Sequence, residues 1–299
     1  MVDTDVVTEA GGDPTAGYET RSTLELVELM NEADATVAGA VALEAPQIAA
    51  AVDPIAERLR AGGRLVYVGA GSSGLIAALD AAECEATFSL PPGVVVALVA
   101  GGFESAPLMQ ARAEDDRAGG ADDVRALAVG APDAVVGVSA SGNTPYVLGA
   151  LHAAQGAGAL TVAVVAAPES ELGELVEHQI AAVVGPEFIA GSTRLKAGTA
   201  QKLVLNTIST VTMIRLGKTY GNLMVDVAAV NEKLAARVRR IVATASRASA
   251  EQVEEALAAA DGDARVAIVS LLADVDADVA RRRLQASESS IAAALEIAE

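Results

Sequence analysis

"YVGAGSSGLIAALDAAE", residues 67–83, starts within an apolar run and contains the spacing Gly69-x-Gly71-x-x-Gly74. A glycine-rich loop between a strand and a helix is typical of phosphate-binding α/β proteins, because the backbone N–H groups at the start of the helix attract an anion. The spacing alone does not distinguish the pyrophosphate of a dinucleotide from a single phosphate. A tight strand-to-helix turn without any ligand would use the same glycines.

Five short, continuous apolar runs predict buried strands at residues 64–68, 94–99, 133–138, 160–165 and 180–184. Helical patterning follows most of them, and strands that are apolar on both faces are typical of a parallel sheet covered by helices on both sides. Pro46 and Pro54 are expected to break the helical region before the first strand. The predicted fold class is therefore α/β, a doubly wound parallel sheet flanked by helices.

The chain is expected to have three parts. Residues 1–20 are rich in Gly, Asp and Thr without periodicity and predict an irregular N-terminal arm. Residues 21–246 hold the strands and the longer helices, the last two of these at about 193–216 and 225–246. Residues 247–299 predict short amphipathic helices that form a small helical domain.

Composition narrows the class of protein. The net charge is −19, which disfavours nucleic acid as a partner. Cys84 is the single cysteine, so an intrachain disulfide and a multi-thiolate metal site are excluded. No apolar run reaches the roughly 18 residues that cross a bilayer, and the acidic start lacks the order of an export signal. We expect a cytoplasmic protein without a membrane partner.

A second loop after the third predicted strand, "SASGNTP" at residues 139–145, decides the phosphate class. Ser139, Ser141 and Thr144 bring three hydroxyl groups to one strand end, which suits a compact phosphate monoester, although Ser139 and Thr144 could also cap a helix. A dinucleotide site would instead need an acidic residue about 20 positions after the first loop. The first acid after the second strand is Glu104, which is too late.

With both loops in view, the chain resembles the sugar isomerase (SIS) domain family, which binds sugar phosphates. "GPEFIAGSTRLKAGTAQKLVLN" at residues 185–206 is similar to a signature shared by glucokinase regulatory protein and the bacterial N-acetylmuramic acid 6-phosphate etherases. "LDAAEC", "AGGFESA", "AEDDRAGG", "SGNTPYV" and "GNLMVDVAAVNEKL" are each similar to etherase segments, in the same order. The resemblance covers nearly the whole chain.

The resemblance implies that the D-lactyl ether at C3 of N-acetylmuramic acid 6-phosphate is cleaved, giving N-acetylglucosamine 6-phosphate and D-lactate. Elimination followed by hydration needs two carboxyl groups and no metal or cofactor. The etherase motifs place these at Glu83, as the acid toward the lactyl oxygen, and Glu114, as the base at C2; the reverse assignment is open. Without the family, Glu114 would be assigned to a solvated helix face, within a helix expected from about 105 to 117 and closed by Gly119 and Gly120.

The resemblance also implies which residues bind the sugar phosphate. They are Gly71, Ser72 and Ser73 in the first loop, Ser139, Ser141, Gly142, Asn143 and Thr144 in the second, and Glu187, Ser192 and Lys196 in the signature segment. Glu187 and Lys196, together with Arg194, could instead form a buried ion-pair network. His152 and His178 have no neighbouring ligand pattern, so a metal site is not expected.

The sequence departs from the etherase pattern at both loops. Leu75 and Asn143 stand where the family usually has arginines, and Glu85 and Ala86 replace two prolines. Binding is therefore expected through neutral donors, and the substrate could be another 3-O-substituted amino-sugar phosphate. A sugar-phosphate-sensing regulator that docks a partner protein and an aldose–ketose isomerase are the alternative functions.

The distance between the first loop and Glu83 predicts a shared site. Gly74 and Glu83 are nine residues apart, or roughly 13 Å along an unbroken helix. Either that helix ends early, or Glu83 serves a sugar bound by the neighbouring subunit. Because related proteins are dimers with sites at the subunit boundary, we expect a homodimer with shared sites.

Overall fold

A computed structural model describes residues 17–102, 112–226, 232–288 and 290–297. The chain divides into two compact units, Met1–Glu83 with Pro92–Ser209, and Cys84–Pro91 with Thr210–Glu299. Residues 210–246 therefore group with the C-terminal helices. This division of the chain lies earlier in the sequence than the boundary predicted at residue 246. Most of the predicted N-terminal arm lies outside the described residues, and Tyr18–Thr20 form a short 3-10 helix.

The first unit is built on a five-stranded parallel sheet. Its strands are β1 (Leu65–Gly69), β2 (Val95–Val99), β3 (Ala134–Val138), β4 (Leu160–Val165) and β5 (His178–Ala181). They lie in the order β2-β1-β3-β4-β5, with Val66 paired to Val96 on one side and to Val135 on the other. All five predicted strands are confirmed, and the order is that of a doubly wound α/β sheet.

Helices of the first unit alternate with the strands. They are α1 (Thr23–Asp34), α2 (Val37–Leu43), α3 (Ala45–Arg60), α4 (Gly71–Phe88), α5 (Arg117–Ala126), α6 (Pro145–Gly156), α7 (Glu171–Leu175) and α8 (Lys196–Arg215), with α4 and α8 continuing into the second unit. Among the described residues no single helix is long and apolar enough to cross a membrane; one bent pair, Thr23–Leu43 with Ala45–Arg60, passes by length and composition.

The two prolines before β1 behave differently from each other. Pro46 lies in the first turn of α3, where the missing N–H costs nothing because first-turn N–H groups lack helical partners. Pro54 lies inside α3, which continues to Arg60, so the prediction that Pro54 would break the region is wrong. Packing explains the tolerance, since Ile48, Ala51, Val52, Ile55, Ala56 and Leu59 of this helix are buried.

The glycines of the first loop allow α4 to pack closely on the sheet. A Cβ atom on Gly69 would lie 2.7 Å from the backbone N of Gly74, and one on Gly74 would lie 2.9 Å from Cγ1 of Val99. Two of the three glycines are thus required by the close approach of strand and helix, whatever binds nearby.

The start of helix α5 differs from the helix boundary predicted at Gly119 and Gly120. Residues 103–111, which hold most of the helix predicted over 105–117, lie outside the described residues. Gly119 and Gly120 were expected to end that helix, but they lie within α5, whose first turn is capped by Asp116. A Cβ on Gly120 would lie 2.0 Å from the carbonyl oxygen of Tyr146 in α6. Gly120 therefore allows two helices to touch.

The second unit has a core of its own. A short antiparallel pair, β6 (Thr219–Tyr220) with β7 (Leu223–Met224), precedes α9 (Glu232–Ser246), α10 (Ala250–Ala259), α11 (Ala264–Ala273), α12 (Ala277–Ala286) and α13 (Ile291–Glu296). Val242 and Ile268 are fully buried in this core. The predicted C-terminal helices are thus present. Residues 227–231 of the helix predicted from residue 225 lie outside the described residues, and α9 is described from Glu232.

Candidate active site

Both glycine-rich loops lie at the point where the sheet reverses its direction of winding. β1 and β3 are neighbours, and the chain leaves β1 toward β2 on one side and places β3 on the other. Because the strands are parallel, the loops that follow β1 and β3 lie at the same edge of the sheet. The crevice at such a switch point is where doubly wound α/β proteins bind ligands.

The first loop offers unused donors. Gly71 begins α4 with φ +51°, and open space surrounds the position of a Cβ there. Ser72 is exposed and Ser73 is partly buried, both in the first turn of α4. Their hydroxyl groups make no hydrogen bond within the described part of the chain. Two hydroxyls at the N-terminus of an 18-residue helix suit an anion.

The second loop is held by its own hydroxyls. Ser139, 2% exposed, has Oγ 2.8 Å from Oγ1 of Thr144 and accepts a hydrogen bond from the Gly142 N–H at 3.0 Å. The Ser141 hydroxyl accepts from the Asn143 N–H at 3.2 Å. The Ser139–Thr144 bond uses one of two hydroxyl protons, so the other remains available to an outside acceptor. These bonds lie within the loop: Thr144 precedes α6, but its side chain makes no capping hydrogen bond to that helix, so the expected capping role is not seen, and binding stays a prediction.

The backbone of the second loop is clamped to α7. Gly142 has φ +72°, and a Cβ there would lie 2.4 Å from Ser170. Its carbonyl accepts from the Leu172 N–H at 3.0 Å, and Oδ1 of Asn143 accepts from the Glu171 N–H at 3.0 Å. Because the N–H groups of Gly142 and Asn143 also serve the loop, a ligand would depend on the remaining donors, among them the hydroxyls and the Asn143 amide nitrogen.

Glu114 is brought to the second loop by a backbone contact. Its carbonyl accepts a hydrogen bond of 3.0 Å from the N–H of Tyr146, which lies in the first turn of α6 directly after Thr144. The residue is partly buried, and burial, with a smaller contribution from the charge of Asp115, raises the pKa of the Glu114 carboxyl. A solvated helix face, which patterning alone would predict, is therefore wrong for Glu114.

Glu83 lies on the exposed side of α4. The helix continues to Phe88, so the possibility that it ends before Glu83 is excluded. The Glu83 side chain is 58% exposed, and its Oε2 accepts a hydrogen bond from the Lys202 ammonium group at 2.7 Å. Within one chain Glu83 thus stays about 13 Å along the helix from Gly74.

Lys202 and Asp80 are residues that sequence reasoning missed. Lys202 Nζ lies 3.7 Å from Oδ1 of Asp80, which is 2% exposed and accepts a hydrogen bond from the hydroxyl of Tyr67 at 2.9 Å. Ser209 also donates toward Asp80, at 3.4 Å. Asp80 precedes Glu83 by three positions, a spacing that puts both carboxylates on one side of α4 and could have indicated a shared cation.

The signature segment is used partly for structure. Glu187, 3% exposed, accepts hydrogen bonds of 2.9 Å from the backbone N–H groups of Lys196 and Ala197 and so caps α8. Lys196, 6% exposed, donates from Nζ to the carbonyl of Val184 at 2.6 Å. The two side chains form no ion pair with each other. Ser192 is partly buried in the loop between them.

Metal-ligating side chains are not gathered in the described ranges: no group of three or more His, Cys, Asp or Glu residues could hold an ion there. A reaction without metal stays a prediction for this site.

Comparison with known proteins identifies the family. Residues 22–155 match the family model of the glucokinase regulatory protein N-terminal SIS domain. A phosphoheptose isomerase from Francisella tularensis has a similar fold, with a TM-score of 0.51 and 20% identity over 64% of this chain and 98% of that chain.

Closer relatives match nearly the full length. The N-acetylmuramic acid 6-phosphate etherase of Rubrobacter xylanophilus is 55% identical over 97% of this chain and 96% of its own. The etherase of Streptomyces avermitilis is 53% identical over 97% of this chain and 93% of its own. The chain belongs to the N-acetylmuramic acid 6-phosphate etherase family.

Proposed function

We propose that this protein is a carbon–oxygen lyase that cleaves the D-lactyl ether of N-acetylmuramic acid 6-phosphate, giving N-acetylglucosamine 6-phosphate and D-lactate. Relatives that carry this activity in their names are 55% and 53% identical to it. The structural observation that carries the proposal is the position of Glu114, a partly buried carboxyl attached through its backbone to the start of α6, beside the hydroxyls of the second loop.

Elimination makes this stable ether cleavable. In the open-chain sugar the C2 proton is acidified by the C1 aldehyde, and the C3 ether oxygen is β to that carbonyl. Glu114 takes the C2 proton, Glu83 gives a proton to the lactyl oxygen, and the C3–O bond breaks as the C2–C3 double bond forms. Water then adds at C3. The raised pKa of Glu114 makes it a stronger base once ionised.

The phosphate is bound by neutral donors. Ser72 and Ser73 provide unused hydroxyls at the start of α4, and the second loop provides one more hydroxyl proton. Leu75 is 52% exposed, and Asn143 accepts a hydrogen bond from the Glu171 N–H. Both side chains are neutral, so neither replaces the charge of the arginines usual in the family. Lys196, buried with one carbonyl partner, is a candidate cation of the signature segment.

A homodimer completes the site. Helix α1 has no buried residue, and its Leu24 and Val27 are 66% and 52% exposed. On α4, Leu75, Leu79 and Glu83 are spaced by four and form one stripe, whose leucines are 52% and 49% exposed. If a second copy covered these apolar faces, Glu83 of one subunit would lie near the hydroxyl loop of the other subunit. We place the reaction in the cytoplasm, in peptidoglycan recycling.

Release of D-lactate from N-acetylmuramic acid 6-phosphate tests the proposal. The purified protein is expected to release D-lactate, and Glu83→Gln and Glu114→Gln are each expected to abolish most of that release. Glu85→Gln, an exposed glutamate on the same helix, is the matched control and should keep full activity. Binding without release would indicate a regulator instead, and an altered sugar without D-lactate would indicate an isomerase.

Exchange in deuterated water assigns the acid and the base. The base variant, Glu114→Gln, should neither incorporate deuterium at C2 nor release D-lactate. The acid variant, Glu83→Gln, should exchange the C2 proton without releasing D-lactate. The opposite pattern would reverse the two roles.

Mixing the two inactive variants tests the shared site. If Glu83 and Glu114 come from different subunits, each mixed dimer has one intact site, and random mixing should restore about a quarter of wild-type activity. If both come from one subunit, the mixture stays inactive. Matched mixing of each variant with itself is the control.

A further inference from the structure

We propose that Lys202 binds the carboxylate of the lactyl group and makes the site selective for ethers that carry one. The inference rests on the proposed function, since it assigns a partner to the leaving group of that reaction. It concerns a residue for which the sequence provided no role.

Lys202 is held in place by a buried anion. Its Nζ lies 3.7 Å from Asp80, which is 2% exposed and fixed by the hydroxyl of Tyr67 on β1. A buried carboxylate must be compensated, so Asp80 anchors the ammonium group on one side. The Lys202 side chain is nevertheless 28% exposed. One side of the cation is thus fixed by the protein, and another side is open.

The open side of Lys202 faces the predicted acid. Its Nζ donates to Glu83 at 2.7 Å, and Glu83 is 58% exposed. An ammonium group has three donors, and the contacts with Asp80 and Glu83 account for two of them. In the described part of the chain no third acceptor contacts this ammonium group, so we expect a ligand that reaches Glu83 to reach Lys202 as well.

The chemistry of the leaving group matches this arrangement. In a D-lactyl ether the ether oxygen and the carboxylate are bonded to the same carbon. A Glu83 that protonates the ether oxygen therefore lies beside the carboxylate as well, where the Lys202 ammonium can pair with it. Glu83, protonated from water, gives its proton to the ether oxygen as the C3–O bond breaks, while the Lys202 ammonium pairs with the lactyl carboxylate that leaves.

Because the chain lacks an arginine that is usual in the family, the positive charge of Lys202 matters more for binding a carboxylate. Leu75, which stands where the etherases that this chain resembles usually have an arginine, lies on the same stripe of α4 as Glu83. Among the described residues Lys202 is the cation that contacts Glu83. In a chain of net charge −19, a carboxylate-bearing leaving group needs such a local cation.

The test compares two substrates, N-acetylmuramic acid 6-phosphate and its lactyl carboxamide, which lacks only the negative charge. The wild type is expected to prefer the acid in kcat/KM, and Lys202→Met is expected to lose about 10- to 100-fold on the acid and little on the amide, so that the preference disappears. Lys202→Arg should keep part of the preference. An equal loss on both substrates would overturn the inference, because it would show a structural role only.

Lys218→Met is the matched control. Lys218 is paired with Asp226, and its side chain is 22% exposed, against 28% for Lys202. It should leave the preference for the acid unchanged, and thermal melting should show whether either variant is unfolded.

Binding separates a failure of the inference from a failure of the proposed function. If the wild type releases no D-lactate, the proposed function fails, and calorimetric binding of the same acid and amide then tests Lys202. Tighter binding of the acid that is lost in Lys202→Met or, should that variant not fold, weakened in Lys202→Arg would support carboxylate recognition. Equal binding of both compounds by the wild type would contradict it.

Discussion

β1 and β3 carry opposite kinds of structure at their two ends. Just before the strands, Arg64 and Asp133 form an ion pair of 2.7 Å, and Arg64 also donates to the carbonyls of Leu127 and Ala128. After the strands come the two glycine-rich loops, in which Ser72 and Ser73 keep unused hydroxyls. The amino ends of the two strands are therefore built for stability, and their carboxyl ends leave donors for a ligand.

The carboxyl groups at the two ends differ in the same way. Burial by itself would raise the pKa of Asp133, but hydrogen bonds from the Arg64 side chain and from the backbone N–H groups of Gly130 and Arg64 hold that pKa below its usual value. Glu114 has no cation against it in the described ranges, and burial raises its pKa. A paired carboxylate stabilises the fold, whereas an unpaired and partly buried one is suited to proton transfer.

Glu114→Gln should have the largest effect. Removing the base at the carboxyl end is expected to reduce kcat about 10²- to 10⁴-fold, because proton transfer from C2 is lost. D-lactate release measures the loss. The melting temperature should stay near the wild-type value, and a large drop in it would mean that Glu114 serves the fold instead.

Asp133→Ala should destabilise the fold at the amino ends of β1 and β3. It leaves Arg64 without its partner and is expected to lower the free energy of unfolding by about 3–5 kcal/mol, measured in urea. Activity per folded molecule should be kept. Asp278→Ala, whose exposed pair with Arg281 is worth about 0–1 kcal/mol, is the control.

The pH dependence of stability follows from the same pair. Because the pKa of Asp133 is lower in the folded state than in the unfolded state, its stabilisation is full above the unfolded value and is lost as pH falls through the folded value. Urea unfolding at neutral and acidic pH should show a smaller pH dependence in Asp133→Ala than in the wild type. An identical pH dependence would contradict the assignment.

Gly142→Ala should strain the second loop, at the carboxyl end of β3. The methyl group would lie 2.4 Å from Ser170 and occupy a position with φ +72°, so a loss of about 1–3 kcal/mol in unfolding free energy is expected, with reduced activity. Ser170→Gly in the same chain should recover part of it. Gly156→Ala, with open space around it, should not destabilise the protein.

Asp115→Asn should have the smallest effect. The charge of Asp115 contributes to the raised pKa of Glu114, so its removal should move the acidic limb of the kcat/KM profile to lower pH, with little change at the optimum. An unmoved limb would show that this limb reports another group.

Local patterns predicted the sheet well. The first four runs along the chain agree with the strands within one residue at either end, because residues covered by helices on both faces of the sheet are apolar without interruption. The fifth strand begins two residues earlier than predicted, at His178, whose polar side chain is tolerated on the edge strand β5. Pro54 and Gly120 were misjudged because packing against distant elements outweighs local propensity.

The chain order of residues was enough to indicate an α/β sheet, two phosphate-type loops and a pair of glutamates, since periodicity, glycine spacing and motifs are local. Which groups remain available was settled by contacts far apart in the chain. Asn143 is used by Glu171, 28 positions away, and Glu83 by Lys202, 119 positions away. Hydrogen bonding and burial depend on neighbours in space, and only folding brings those neighbours together.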